Sequence, residues 1–438
     1  MASATLTSFA GHRPRLANKN RHAPIVRQRG AAALVVTMLL VFAMLLVVAF
    51  ANRNVVVEAR ASANQYRSTQ AFEAAEAGLE WALAKLNDGT PVGDDCLPSA
   101  DPGALSFRDR QLRYDGSGFV PMTWDDAGTP TPLQAACVRG DAGWACSCPA
   151  SGAPTSVAAT GTATAPAFAV EFAAGARPGL IRAVAIGCTR SDTLCTAIAD
   201  AAHEAAARVE VGFGLVPGLR AAPVAALTVR GNVDAGTSAL GVHKLDPGSG
   251  ATAVHAGGNV NGDALRLTAP AGSALDASIV SGDAALAGLA GDRFFARWFG
   301  MDKTAWMAQP AATRIACLGS CAGAIAHALA TGSQLLAVDG DLTLDGPISL
   351  GTSERPIALV ATGALRLRGA VAVHGVIVAA AIDWRDGAAG ALIRGAAIAE
   401  GDYSGDAAAD IVHDAPVLAR LRGGSGSFAR VNGSWKDF

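Results

Sequence analysis

The side chains in this sequence that could do chemistry are eight cysteines, a set of aspartates that follow glycines, and scattered histidines. Cys96, Cys137, Cys146, Cys148, Cys188, Cys195, Cys317 and Cys321 all come after the one long apolar segment. An even set confined to one side of a membrane is what an oxidising compartment produces, so disulfides are expected. A zinc site fits less well: Cys146-Ser-Cys148 is too tight for the usual spacer, and no second pair completes a tetrad. Local closure singles out Cys188 with Cys195, and Cys317 with Cys321, as disulfide candidates. Asp263, Asp283, Asp341 and Asp402 each follow a glycine. Stacked in register on a parallel β-helix they would resemble the carboxylates of glycan-cleaving enzymes, which work in pairs about 5 to 10 Å apart across a groove. Turn chemistry accounts for the same residues, because aspartate accepts backbone N–H bonds in tight turns. His203, His243, His255, His327, His374 and His413 show no metal-binding spacing. No nucleophile elbow, phosphate loop, HExxH, EF-hand or calcium-binding nonapeptide is present. No metal or cofactor is expected, and the chain is read as a non-enzyme.

Composition agrees with a structural or display role. Of 438 residues, 51% are hydrophobic, enough for a buried core, while 16% are charged and the net charge is -2. No basic field exists to hold a nucleic acid. With 50 glycines and 5% aromatic residues, the chain favours turns and thin strands over an aromatic-lined pocket.

The elements that must position these residues begin with a basic segment. Residues 1–30 carry Arg13, Arg15, Lys19, Arg21, Arg27 and Arg29 and no acid, which marks a cytoplasmic end. Residues 31–51 are uncharged, and about 20 residues at 1.5 Å each span the hydrocarbon layer of roughly 30 Å. An uncleaved signal anchor is the plainer reading of the same segment. From Val55 to Asn87 the helical pattern continues: Phe72, Ala75, Leu79, Leu83 and Leu86 make an apolar stripe, with Glu73, Glu76, Glu80 and Lys85 largely off it. One rod of about 85 Å would result. Asp88-Gly89-Thr90-Pro91 supplies its stop.

Residues 27–50 followed by 64–82, above all Gln70 to Leu79 (QAFEAAEAGL), resemble the PilX-type N-terminal domain of minor type IV pilins. The resemblance covers residues 27–87. It implies cleavage by a prepilin peptidase between Gly30 and Ala31, where glycine lets the backbone extend into a protease groove. It also implies that the freed helix, with Val35, Phe72, Glu73, Glu76 and Leu79 on it, joins a filament as a low-abundance component. The partners it implies are other minor and major pilins, with a large tip adhesin as a further candidate. The implied location is the inner membrane, single-pass with the bulk periplasmic, and then the pilus at the cell surface. Major pilins carry Glu at the fifth position after the cut, where it neutralises a neighbour's N-terminal amine; here that position is Val35. A subunit without that charge suits a priming or tip location.

The exported part is read as α+β: the long helix with a pilin-like antiparallel sheet, then a mainly β domain forming a parallel β-solenoid. Boundaries fall at 1–30 for the leader, 31–87 for the helix, 88–220 for a disulfide-stapled head and 221–438 for the solenoid. Residues 89–165 read as loop-rich, whereas 167–174, 180–188 and 207–216 alternate as three antiparallel strands. Beyond 221, short apolar runs end in Gly-Asn or Gly-Asp, the texture of stacked coils, with an antiparallel sandwich as runner-up. A helical insertion near 289–310 holds Phe294, Phe295, Trp298 and Phe299, which serve either as a plug over the solenoid or as an exposed docking patch. Trp435 and Phe438 would cap the open end of the stack.

Function follows as a minor pilin that helps assembly or priming near the tip and presents a display or adhesion surface. A membrane-anchored β-helix enzyme acting on carbohydrate is one alternative. A minor pseudopilin of a type II secretion system, which shares the same N-terminus, is the other.

Overall fold

The computed structural model describes residues 29–141, 143–155, 165–177, 179–189, 194–196, 205–237, 239–262, 264–317 and 321–437. A single helix runs over Arg29–Asn87, 59 residues. Nothing inside it breaks the hydrogen-bond ladder: no proline occurs, and its polar Thr37 turns its hydroxyl back to the Leu34 carbonyl at 2.9 Å. Asp88 then accepts the N–H of Thr90 at 2.9 Å and Pro91 prevents continuation. The chain divides into two compact units, one ending at Ala63 and one covering Asn64–Phe438. In the first, residues 30–63 are exposed along their whole length.

In the second unit, the C-terminal part of the helix lies on an antiparallel sheet. The strand order is Gly426–Arg430, Ala206–Pro217, Leu180–Cys188, Ala167–Ala174, Gln134–Gly140, Gly143–Ser147. Ala75, Leu79, Ala82 and Leu86 pack with Phe168, Val170, Phe172, Ile181, Val211 and Phe213 into one core. The close approach is set by Gly187, where a Cβ would run into the Ala71 carbonyl and the Ala75 amide. The three strands expected between 167 and 216 are present with neighbours in antiparallel register. The described residues between 89 and 155 form more regular structure than their composition suggests. They hold the helix Phe107–Gln111 and three short antiparallel pairs, among them Gln134–Gly140 with Gly143–Ser147. Clean period-two alternation is missing there because these strands are short and several flank Pro or Gly.

The mainly β remainder leaves the head after Pro217 and returns to it at Gly426, and its ladders are parallel. One sheet stacks Ala312–Ala316, Leu335–Asp339, Ile357–Ala361, Val371–Ala379, Leu392–Ala399, Leu227–Val229, Val254–Ala256 and Ile279–Val280. A second stacks Leu342–Asp345, Ala364–Gly369, Ala381–Gly387, Tyr403–Gly405, Val233–Asp234 and Val260–Asn261. Parallel pairing throughout this block replaces the sandwich alternative. Stacking does not follow chain order. The strand at 227 sits beside the one at 392, so the chain enters within the stack and winds outward to 280. Helices Ala284–Ala287, Gly291–Phe299 and Lys303–Met307 then carry it to the opposite end, from which it winds back.

The central strands are apolar on both faces, as buried parallel strands require. Leu336, Val338, Leu359, Ala361, Ile377 and Ala379 point into the core shared by the two sheets, with Trp384 and Tyr403. Their neighbours Leu335, Ala337, Val360, Val376 and Ile398 face outward and are covered by Phe294, Phe295, Trp298, Phe299, Trp306 and Leu418. The four aromatics are therefore buried, and the docking-patch reading is overturned: their helical spacing serves a layer laid over the outer sheet face. The terminal cap is overturned as well. Trp435 meets Phe72 edge-on at 6.0 Å, and Lys436–Asp437 pairs with Ala206–Pro217, because that strand offers a free edge. Phe438 lies outside the described residues.

Candidate functional site

Gly30, Ala31 and Val35 lie on the exposed part of the helix, and Val35 is 56% exposed. Around Gly30 a Cβ would meet nothing within 4 Å. Among the described residues nothing covers this stretch, which has a window of mean hydropathy 3.0 and is long and apolar enough to cross a membrane. Farther along, Leu79 is fully buried in the head, Phe72 is half-buried beneath Trp435, and Glu73 is exposed. Glu80 pairs with Arg430 at 2.6 Å, while Glu73 and Glu76 have no ion-pair partner among the described residues.

All eight cysteines are paired. Cys188 joins Cys195 and Cys317 joins Cys321, the two local closures. Cys137 joins Cys146 across facing residues of an antiparallel hairpin, and Cys96 joins Cys148 over a separation of 52 residues. Spacing alone does not single out the last two. The hairpin register would have identified Cys137 with Cys146, but the long closure depends on the folded head. No group of three or more His, Cys, Asp or Glu side chains is placed to hold a metal among the described residues.

The aspartates following glycine are engaged by turns and basic side chains. Asp341 accepts the N–H of Ala364 at 2.9 Å and pairs with Arg366 at 3.0 Å, and these two bonds, in that order, hold its carboxyl below the usual range. Asp402 accepts the N–H of Asn232 at 2.7 Å, and the Asn232 side chain accepts the N–H of Asn259 at 3.0 Å, a ladder along one corner of the stack. Asp283 caps the turn at Ala285 and lies 2.7 Å from His255 Nε2, the contact that does most to depress its pKa. Asp263 and His203 lie outside the described residues. His243 sits 2.8 Å from Thr268 Oγ1 and 3.2 Å from Asp410, which also binds Arg266 at 2.6 Å. His413 is buried against the Pro223 carbonyl at 2.9 Å, and burial lowers its pKa. The described histidines are thus dispersed over different elements rather than gathered. The buried Lys244, which donates to the Val224 carbonyl, is a feature that no sequence pattern announces.

No curated protein and no solved structure matches the chain. Residues 29–80 match the family model PilX N-terminal, so in its exposed apolar helix and the first turns on the head this chain is similar to PilX-type, pilin-like proteins and is tied to the minor pilins of type IV pili.

Proposed function

We propose that the chain is a minor type IV pilin that is cut between Gly30 and Ala31 by a prepilin peptidase and then takes part in starting or tipping the filament. One observation carries this reading: a helix matching PilX N-terminal at 29–80 is buried on a sheet at Leu79 and Leu86, yet wholly exposed from 30 to 63. An uncovered apolar helix of that length needs lipid before assembly and the helices of other minor and major pilins afterwards. Val35, where a charge-neutralising Glu is absent, favours a position with no subunit to dock beneath. We read the parallel stack as a β-solenoid, a stiff surface on which adhesion or contact with a large tip adhesin takes place. The role is physical rather than catalytic, since the carboxylates of Asp283, Asp341 and Asp402 already serve turns and neighbouring side chains.

The test is the mature N-terminus by mass spectrometry, in cells with and without the prepilin peptidase, together with the content of sheared filaments. Ala31 as first residue only when the peptidase is present, and recovery with the filaments, are expected. A chain starting at Met1 in both strains sinks the cleavage, and absence from sheared filaments sinks the pilus assignment. Deletion then separates the roles: loss of filaments means priming, and loss of attachment alone means display.

A further inference from the structure

A cleft of about 720 Å³ lies within residues 64–438, where the end of the helix and the strand Gly426–Arg430 face the segments around Ala311 and Gly332. At its base the backbones of Gly89 and Gly332 touch: a Cβ on either would collide with the other's carbonyl. Head and parallel block therefore meet there backbone to backbone.

Its inner wall carries two guanidinium groups and one carboxylate. Arg108 donates to the Leu86 carbonyl at 2.6 Å and to the Gly426 carbonyl at 2.9 Å, and its charge lies 5.3 Å from the centre of the Phe428 ring. No carboxylate is hydrogen-bonded to it among the described residues. Enclosure pushes its pKa down to about 10, with the nearby Arg355 adding to that fall and Asp109 opposing it. Arg355 donates to the Gly332 carbonyl at 3.3 Å and pairs with Asp109 at 3.2 Å. Asp109 is thus the one acid serving both cations. On the outer wall Arg430 and Glu80 neutralise each other at 2.6 Å, and Asp88 is bound to its own turn. The three guanidinium groups and three carboxylates of the lining balance formally, yet Arg108, the most enclosed cation, bonds only carbonyl oxygens and so keeps donors for a carboxylate.

We propose that this cleft binds a small organic acid whose carboxylate sits between Arg108 and Arg355. Arginine's planar fork suits carboxylate, and the volume falls in the range of small-molecule sites, about 300–1,000 Å³. One or two acidic sugar rings, or an acidic dipeptide, have the right size. The inference is independent of filament assembly and survives if the chain proves not to be a pilin.

The test uses the full chain purified in detergent, titrated by ligand-observed NMR. The probes are galacturonate and the dipeptide Glu-Glu, with galactose and Gln-Gln as neutral counterparts. Saturable binding of an acid and not of its neutral counterpart is expected. Which acid binds identifies the source of the carboxylate. Arg355→Gln, a half-exposed position, should weaken binding about tenfold or more, the value of one charge-assisted contact, while the distant Arg366→Gln leaves it unchanged. The proposal is overturned if neither acid saturates below about 10 mM, if neutral probes bind equally, or if Arg355→Gln binds as the parent does.

Discussion

A side chain on Gly187 has nowhere to go, because the helix backbone at Ala71 and Ala75 already occupies its space. Gly187→Val should therefore lower the head's stability by about 3 kcal/mol or more, beyond ordinary overpacking, since backbone cannot swing aside as a side chain does. Leu79→Ala, which empties a fully buried site, should cost about 2–5 kcal/mol; denaturant titration of both variants checks the pair. His413 supplies a pH test. Burial depresses its folded pKa below the ordinary 6.5, against the raising effects of the Pro223 bond, Asp246 and Asp414 and with the help of Lys244. Its unfolded form then takes up a proton first as pH falls, so its stabilising contribution is complete above about 6.5 and is lost as pH drops toward the folded value. Unfolding curves from about pH 7.5 down to about pH 5, a range that brackets the ordinary histidine pKa, should show that slope in the parent and a shallower one in His413→Gln. Sequence disclosed the turn role of Asp283, which caps Ala285 two residues on, because that chemistry is local; Asp341 and Asp402 instead accept the N–H groups of Ala364 and Asn232 from distant segments. It hid Cys96 with Cys148 and the setting of Lys244, which exist only once distant segments meet.

At the scale of elements, the helix and the three head strands between 167 and 217 were legible from periodicity, and the aromatic helix at 291–299 was found within a few residues. The order of the stack was not. Parallel neighbours are joined by no hairpin, so nothing local says that 227 pairs with 397. The return of Gly426–Arg430 to the head was equally silent, being a pairing with a strand more than two hundred residues earlier. It can be tested by ending the chain after Gly424. The strand Ala206–Pro217 then loses a partner and Asn87 loses both of its bonds to Phe428, at 3.0 and 2.7 Å. Faster proteolysis of the head is expected. Replacing Cys96 and Cys148 by serine should cost about 4 kcal/mol by loop-closure entropy, more than replacing Cys137 and Cys146, whose loop is far shorter; thermal melts rank the two.

For the whole molecule, the parallel block is an insertion between two strands that are neighbours in the head. Pro217 faces Gly426 in the ladder, and the Gly218 N–H meets the Ser425 carbonyl at 3.1 Å. Removing residues 218–425 and joining the ends with an Asn-Gly turn should leave a head that still folds, because such a turn closes adjacent antiparallel strands. A single cooperative melt with retained near-UV dichroism is the expected outcome, and an unfolded chain would mean that the head depends on the insert. That the insert is mainly short strands was visible in its glycine punctuation, but its placement inside the head was not, since no composition change marks the way back.

The paired crossing at Pro217 and Gly426 also decides how tension travels. A tug on anything gripped by the inserted block reaches the head through two strands side by side, both drawn from the same end. Neither is peeled from the other. Within the head the next ladder to carry it is the long one between Ala206–Pro217 and Leu180–Cys188. A load on the inserted block is thereby shared by two adjoining connections instead of hanging on one.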